Sequence, residues 1–300
     1  MRIRGKKPRA GMIENTSVGS KIFDAITTVF LLIVVFCSIA PMWHVLMSSI
    51  SDGKALFAHE GLVLWPVGGF NLGGFELIFK DSSIVRSYLV TIFYVVATSA
   101  LGLVMNVLGG YVLSQPSKLK PLMTVVILIP MMFGGGLIPT YMVIRSLGMV
   151  GTPLAMIIPG CTNAMFVIMM MNAFLQVPQS TVESARIDGA GHLNIMFKVM
   201  LPQARGLALV TVINTALGVW NAWFEASVYV PRNREWWPLQ LWIRELTQQN
   251  QDFLNYANPD YNRYLVQFAV IVAASLPVII LFPFFQKKLE ENMVMGAVKG

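Results

Sequence analysis

The sequence predicts an all-α membrane protein with six transmembrane helices. Three observations lead to this fold class: an apolar composition, a series of long apolar segments, and loops that sort by charge. Of the 300 residues, 55% are hydrophobic and 12% are charged, whereas soluble proteins carry about 25% charged residues. Too few polar side chains remain to cover a water-facing surface, so most of the exterior must face lipid.

The apolar segments divide the chain into spans and loops, since about 20 apolar residues cross a bilayer as a helix. The predicted spans are 22–47, 88–112, 122–137, 152–175, 206–230 and 265–285. The third span is short. We expect Pro130 to kink it, and a glycine-rich break at 134–141 leads into a further segment that ends at Leu147.

The first segment has a rival interpretation as a cleaved signal peptide. The apolar core of such a peptide has about 7–15 residues, whereas 22–47 is longer, and its small-x-small site at 38–40 is followed by Pro41. We therefore expect an uncleaved span. The basic stretch before it, 1–21, fits a cytoplasmic membrane anchor better than a nucleic-acid site.

Loop charges predict the orientation in the membrane. Lys and Arg outnumber Asp and Glu in one group of segments: 1–24, 114–120, 176–206 and 286–300. The two signs balance in the other group: 48–86, 145–151 and 231–264. The positive-inside rule makes the first group cytoplasmic. We therefore expect a transmembrane domain over 22–285, with a cytoplasmic N-terminus, a cytoplasmic loop at 176–206 and a cytoplasmic tail at 286–300.

Several kinds of chemistry are not supported by the sequence. Cys37 and Cys161 lie in apolar segments, which favours buried thiols over a disulfide or a metal site. The three histidines are far apart in the chain, and there is no Gly-x-x-x-x-Gly-Lys-Ser/Thr motif for ATP. We therefore expect no cofactor or metal on this chain, and any ATP-driven work requires a partner.

Segment 176–206 has the pattern of a small folded element. Ser180 and Glu183 fit a capping box, which predicts a short helix from Thr181 to about Asp188. Gly189 suits the left-handed conformation that closes a helix. A second helix is expected over 192–200, before Pro202 limits it. A helix–turn–helix of this kind is a rigid knob that can fit a socket on a partner.

The residues of this knob resemble the EAA loop of permease subunits in bacterial ATP-binding-cassette (ABC) importers. That pattern is Glu-Ala-Ala, three residues, Gly, nine residues, a β-branched residue, one residue, and Leu-Pro. Ser184 departs from the usual alanine but is also small. In that family the loop is a coupling helix that docks in a groove of the ATPase subunit. The resemblance therefore implies coupling through Glu183, Ser184, Ala185, Asp188, Gly189, Ala190, Val199, Leu201 and Pro202.

The resemblance extends from the first span to the last residue. Segments 135–141, 220–224 and 295–300 look like those of carbohydrate importer permeases, in particular the subgroup that takes up polysaccharide fragments, such as alginate importers. It implies a type I ABC importer permease fold in the bacterial cytoplasmic (inner) membrane, and a transport subunit rather than an enzyme. The implied partners are a second homologous permease, two ATPase subunits that hold ATP and Mg²⁺, and an extracytoplasmic solute-binding protein.

A polar stripe in the fifth span is a candidate substrate path. Asn214, Asn221 and Glu225 recur at roughly helical spacing, and Trp220 and Trp223 lie near them. Polar groups beside aromatic faces suit sugar rings, and an ionisable group within a span indicates a functional site by default. The alternative is structural: Trp is common at membrane interfaces, and Glu225 can mark the outer end of its span.

The outer loop carries a second aromatic group, Trp236, Trp237 and Trp242 with Arg244. These residues fit a docking surface for an external binding protein, or an amphipathic helix that lies on the bilayer. The sequence leaves both open.

Two other classes of protein remain as alternatives. A gradient-driven secondary transporter of small solutes usually shows inverted repeats and intramembrane charged pairs, and neither is evident here. A membrane-embedded enzyme needs a catalytic set at membrane depth, and the chain has no Gly-x-Ser-x-Gly or His-Glu-x-x-His motif.

Overall fold

The computed structural model describes residues 18–80, 82–248 and 263–297, and all regular elements in these ranges are helical. The helices of the first half are α1 (Val18–Ser49), α2 (Gly53–Ala58), α3 (Gly73–Lys80), α4 (Ser82–Ser114), α5 (Lys120–Met132), α6 (Leu137–Ser146) and α7 (Leu154–Gly160). Those of the second half are α8 (Ala164–Leu175), α9 (Gln179–Ile187), α10 (His192–Asn194), α11 (Leu201–Gln203), α12 (Arg205–Trp220), α13 (Trp223–Tyr229), α14 (Leu239–Gln248) and α15 (Arg263–Ala297). A π-helical turn, Ile195–Met200, joins α10 to α11, and a 3₁₀ turn, Arg234–Trp236, precedes α14.

Helices α1 and α4, and α15 over Leu265–Phe284, are each long and apolar enough to cross a membrane. Three bent helix pairs meet the same requirement when each pair is taken as one span, which gives up to six spans in the described part of the chain. The pairs are α5 with α6, α7 with α8, and the segment His192–Gln203 with α12. The third pair does not coincide with the predicted fifth span, 206–230, which the structure divides between α12 and α13. Helices thus cover all six predicted segments, and the third, fourth and fifth of these are broken.

The break in the third span was predicted and lies where glycine permits it. Helix α5 ends at Met132, α6 begins at Leu137, and the two axes differ by 117°. Gly136 between them has φ +83°, a conformation that favours glycine. The sequence analysis expected a kink at Pro130. Pro130 instead lies within the last turn of α5, and the chain turns after it.

The fourth predicted span, 152–175, is also broken, which the sequence analysis did not predict. Helices α7 and α8 meet at 44°. Pro159 lies in the last turn of α7, and Asn163 caps α8 by accepting a hydrogen bond from the N–H of Met165 at 2.9 Å. The pair Pro159-Gly160 followed by an asparagine is a helix stop-and-start signal that identifies this break in retrospect.

Helix α4 forms the centre of the bundle, with α8 and α12 packed along it. Glycines on α4 allow this close approach, as is common between membrane helices. A Cβ on Gly102 would lie 2.7 Å from the carbonyl oxygen of Cys161, and one on Gly110 would lie 2.6 Å from the Cβ of Met170. The glycines therefore set how closely α4 approaches α7 and α8.

We predict that Gly110→Ala destabilises the bundle, because α8 backbone lies within 2.9 Å of the added Cβ and must shift. Overpacking of this kind costs about 1–3 kcal/mol. The measurement is the thermal stability of the detergent-purified protein. Gly218→Ala is the matched control, since nothing lies within 4 Å of its Cβ. Equal stability of the two variants would contradict the packing account.

Hydrogen bonds between loops and helices define the two ends of the bundle. At one end, the hydroxyl of Tyr94 donates to the carbonyl of Trp236 at 3.0 Å, and the N–H of Gly151 donates to the carbonyl of Tyr229 at 2.8 Å. Tyr111 lies 17 residues further along α4 and contacts His192, at a distance of about 25 Å along the helix. The loops predicted to be cytoplasmic and those predicted to be external thus lie at opposite ends of the bundle.

Candidate functional site

The knob predicted over 176–206 is present. Its first helix is α9, which begins at Gln179 and so starts two residues earlier than predicted. Pro178 is the N-cap residue, and no side chain caps this end. The capping box between Ser180 and Glu183 is therefore wrong: Ser180 already lies inside the first turn, because Pro178 has the φ of −56° and extended ψ of 126° that allow the helix to begin directly after it.

Gly189 closes α9 as predicted. It has φ +78°. The N–H of Ala190 donates to the carbonyl of Ala185 at 2.9 Å, and the N–H of Gly189 donates to that of Arg186 at 3.0 Å. This pair of bonds is a Schellman motif, which satisfies carbonyls that the helix end leaves unpaired. The turn after Asp188 is therefore defined by backbone bonding.

The second limb of the knob is helical over 192–203, but only part of it is α-helix. Its central turn, Ile195–Met200, is π-helical. The limb continues past Pro202 to Gln203, three residues beyond the predicted end, and Pro202 cannot donate a backbone hydrogen bond there. The side-chain amide of Gln203 donates to the carbonyl of Val199 at 3.0 Å. The chain then bends by 84° into α12.

The predicted coupling residues divide between two faces of the knob. The inward group consists of Ala185, Ala190 and Leu201, which pack on a cluster formed by α4, α8 and the knob's own Val182, Ile195 and Met196. Val199 is half-buried. The outward group is exposed: Glu183, Ser184, Asp188, Gly189 and Pro202. The motif thus holds the knob against the bundle on one side and presents a polar face on the other.

Two polar contacts that sequence reasoning missed tie the knob to the end of α4. The Tyr111 hydroxyl and His192 Nδ1 are 2.9 Å apart and hydrogen-bonded. The guanidinium of Arg186 donates to the side-chain carbonyl of Gln115 at 3.1 Å. Each limb of the knob therefore has its own bond to the second span or the residue after it. Tyr111 also packs edge-on against Phe174 of α8, with ring centroids 6.3 Å apart.

The tip of the knob is apolar and exposed. Ile187 is 86% exposed and Leu193 is 67% exposed. They flank the Gly189 turn, one at the end of α9 and the other in α10. In a polar loop of a membrane protein, exposed large apolar side chains indicate a contact surface for a partner. A sequence signal existed: apolar residues at 187 and 193 stand in an otherwise polar stretch.

We predict that Tyr111→Phe lowers transport several-fold without reducing the amount of protein in the membrane. The change removes the hydroxyl that pairs with His192 and keeps the ring packed on Phe174. A hydrogen bond contributes about 1 kcal/mol, so the second limb is held less firmly. The measurement is initial uptake rate per transporter. Tyr88→Phe, on the same helix, is the control, and an equal rate loss there would count against the role of Tyr111.

The candidate substrate path is altered by a break in the fifth span. Helix α12 ends at Trp220, Asn221 caps it, and α13 starts at Trp223. The expectation that Asn214, Asn221 and Glu225 share one stripe of a continuous helix is therefore wrong, because Glu225 lies on a separate helix. The side-chain amides of Asn214 and Asn221 donate to the carbonyls four residues earlier, both at 2.9 Å.

The aromatic residues of this path have different environments. Trp220 is 9% exposed and packs with residues of α15, so it is not an open platform for a sugar ring. Trp223 is 36% exposed and Phe224 is 44% exposed, and their rings meet edge to face at 5.6 Å. Asn214, Asn221 and Glu225 are exposed. The accessible part of the predicted path therefore centres on Trp223.

The outer aromatic group is mainly structural. Trp237 and Trp242 are buried in a core cluster that joins α4, α7 and α13, and their rings meet at 5.3 Å. Helix α14 therefore packs its apolar face on this end of the bundle. Trp236 is only partly buried and packs against the same cluster. Arg244 points towards α13, with its guanidinium 4.0 Å from the centre of the Trp223 ring.

A helical bundle of up to six spans with an anchored knob at one end matches the class of protein that the resemblance implied: the permease subunit of an ABC importer. The chain belongs to the family of binding-protein-dependent transport system inner membrane components, which matches residues 118–295. It is accordingly a multi-pass membrane transport subunit and not an enzyme. This assignment replaces the gradient-driven alternative.

Relatives of similar length match nearly the whole chain. Protein LplC of Bacillus subtilis (strain 168) is 32% identical over 295 residues, which cover 96% of this chain and 98% of LplC. The polygalacturonan/rhamnogalacturonan transport system permease protein YtcP of the same organism is 31% identical over 289 residues, which cover 94% of this chain and 99% of YtcP.

Solved structures share the fold. One is a bacterial ABC transporter involved in the import of the acidic polysaccharide alginate: a chain of it is 31% identical, has a TM-score of 0.84, and the match covers 90% of this chain and 98% of that one. A chain of a bacterial alginate ABC transporter in complex with alginate pentasaccharide-bound periplasmic protein is 14% identical, with a TM-score of 0.63 and coverage of 89% and 93%. The predicted fold class, an all-α type I ABC importer permease, is confirmed.

Proposed function

We propose that this permease imports oligosaccharides released from complex polysaccharides, and that an ATPase drives it through the knob at 179–203. The observation that carries the coupling role is the knob itself: a closed turn, one hydrogen bond to α4 and one to the residue that follows it, and an exposed apolar tip. The likeness to YtcP, a permease of a polygalacturonan/rhamnogalacturonan transport system, supports oligosaccharides as the cargo.

The proposed assembly has four kinds of component. This chain pairs with a second homologous permease, two ATPase subunits bind ATP and Mg²⁺ at the knob end, and a solute-binding protein delivers cargo at the opposite end. The excess of Lys and Arg in the loops on the knob side supports a cytoplasmic position for the knob and for both termini. The lipid environment is the bacterial cytoplasmic membrane.

The proposed mechanism follows from what the knob touches. When ATP closes the two ATPase subunits, the socket moves and carries α9 with it. The knob is packed on α4 and α8 and leads directly into α12, so its motion reaches the second, fourth and fifth spans together. Hydrolysis then resets the arrangement. The exposed groups near Trp223, with Asn214, Asn221 and Glu225, are the proposed cargo contacts.

The test is ATP-dependent uptake by the complete importer. The permease pair, ATPase and binding protein are reconstituted in liposomes, and uptake of labelled oligosaccharides is measured with ATP inside. We expect uptake that requires ATP and the binding protein and persists when ion gradients are collapsed. Uptake that follows an ion gradient and ignores ATP would contradict the proposal, as would ATP-dependent uptake of a non-carbohydrate solute alone.

A further inference from the structure

Arg244 and Trp223 form a stacked pair at the end of the bundle opposite the knob. The guanidinium carbon of Arg244, on α14, lies 4.0 Å from the centre of the Trp223 ring, on α13. At this distance the planar guanidinium is held by the indole face through cation–π attraction and stacking. The side chain is therefore oriented before any ligand arrives.

The hydrogen-bonding groups of Arg244 are not used by this contact. Stacking engages the face of the guanidinium, whereas its five N–H donors lie in the plane, around the edge. Within the described ranges, the ion pairs found are Lys80–Glu76 and Arg86–Glu235, and neither involves Arg244. The guanidinium thus has no carboxylate partner in the described part of the chain, although it is only half-exposed.

An apolar ring adjoins the Arg244–Trp223 pair, whereas the acidic residue of the predicted path points in another direction. Phe224 is exposed and meets Trp223 edge to face, so the ring that holds the guanidinium also adjoins exposed apolar ring surface. Glu225 also lies on α13, but two residues from Trp223, which corresponds to about 200° around a helix. The nearest acidic residue of the predicted path therefore faces away from Arg244. An anion could approach the guanidinium without meeting Glu225.

We propose that Arg244, held by Trp223, binds the carboxylate of a uronate residue in the cargo and so makes this permease selective for acidic oligosaccharides. This inference rests on the proposed function and names the class of cargo. A uronate combines a planar carboxylate with apolar ring faces. The carboxylate matches the fork of an arginine, which binds it through two parallel hydrogen bonds, and the ring faces match the exposed aromatic surface of Phe224 and Trp223.

The test compares two probes that share one sugar backbone: trigalacturonate, which carries carboxylates, and its fully methyl-esterified form, in which they are neutral esters. Uptake of each is measured in the complete importer carrying either the native permease or Arg244→Gln, with the same binding protein throughout. The preference of the binding protein then cancels in the comparison. We expect Arg244→Gln to lower the ratio of acid to ester uptake about tenfold or more, as befits the loss of hydrogen bonds to a charged group.

Two further variants complete the test: one separates the shape of Arg244 from its charge, and the other is a control. Arg244→Lys keeps the charge but loses the planar fork, and we expect an intermediate ratio. Arg234→Gln is the matched control, because it removes another arginine in cation–π contact with a tryptophan, 5.3 Å from the centre of the Trp237 ring. Because Trp237 is buried, it offers no ring surface to a sugar beside Arg234. The Arg234→Gln variant is therefore expected to keep the native ratio of acid to ester uptake.

The outcomes that overturn the inference differ from those that overturn the proposed function. An equal loss of acid and ester uptake in Arg244→Gln assigns Arg244 a structural role and overturns the inference. So does a native importer that takes up the ester, or another neutral oligosaccharide, but not trigalacturonate. In both cases ATP-driven oligosaccharide import still stands. A native importer that moves no oligosaccharide at all overturns both.

Discussion

Replacing Gly189 with valine is expected to lower transport to a tenth or less while the chain still inserts in the membrane. Gly189 has φ +78°, a region that is strongly unfavourable for β-branched residues. Nothing lies within 4 Å of a Cβ added there, so the effect comes from the backbone and not from a clash. The strained turn, at about 1–3 kcal/mol, can no longer hold the bond from Ala190 to Ala185.

The chain provides a close control for this prediction. Gly148, at the opposite end, has φ +67°, no atom within 4 Å of an added Cβ, and the same bonding pattern at the end of α6. Gly148→Val imposes the same kind of strain away from the ATPase side and is expected to retain transport. Gly189→Asn is expected to retain most activity, because Asn tolerates this conformation. Normal uptake by Gly189→Val, per inserted transporter, would refute the role of the turn.

The second large effect is expected at the tip of the knob. The double variant Ile187→Asp/Leu193→Asp should abolish ATPase binding and therefore transport. These side chains are 86% and 67% exposed, so the change leaves the bundle core intact. A socket that accepts two apolar side chains would instead have to bury two charges, which is very costly without partners. The measurement is the amount of ATPase that co-purifies with the tagged permease.

Leu62→Asp is the control for this variant. Leu62 is 61% exposed and lies in a loop between α2 and α3, at the end away from the knob. It receives the same substitution at similar exposure and should leave ATPase binding unchanged. If the double variant still recovers native amounts of ATPase, the tip is not the docking surface.

The parts of the fold that the sequence predicted are those that depend on local patterns. Span number follows from apolar length, and Gly189 and Gly136 mark turns because few other residues adopt their conformations. The capping box failed for a local reason as well: Pro178 starts the helix before Ser180 can cap it. Here two local signals competed, and the proline decided the boundary.

The parts that could not be predicted depend on residues far apart in the chain. Tyr111 and His192 are 81 positions apart, and no spacing rule pairs them. Trp220 looked like a platform for sugars, but packing against α15 buries it. Arg244 was assigned to an outer surface, yet its contact with Trp223 depends on how α13 and α14 pack. The break after Trp220 separates Glu225 from the stripe to which the sequence had assigned it.

The most direct test of the coupling role is affinity purification of the tagged chain from its native membrane in mild detergent, followed by mass spectrometry. We expect a P-loop ATPase and a second six-span permease to co-purify with it. A variant in which Glu183 and Gly189 are changed should lose the ATPase but keep the second permease, because both residues lie on the exposed side of the knob. Recovery of the chain without an ATPase, with no nucleotide-dependent activity in the membrane, would contradict the account.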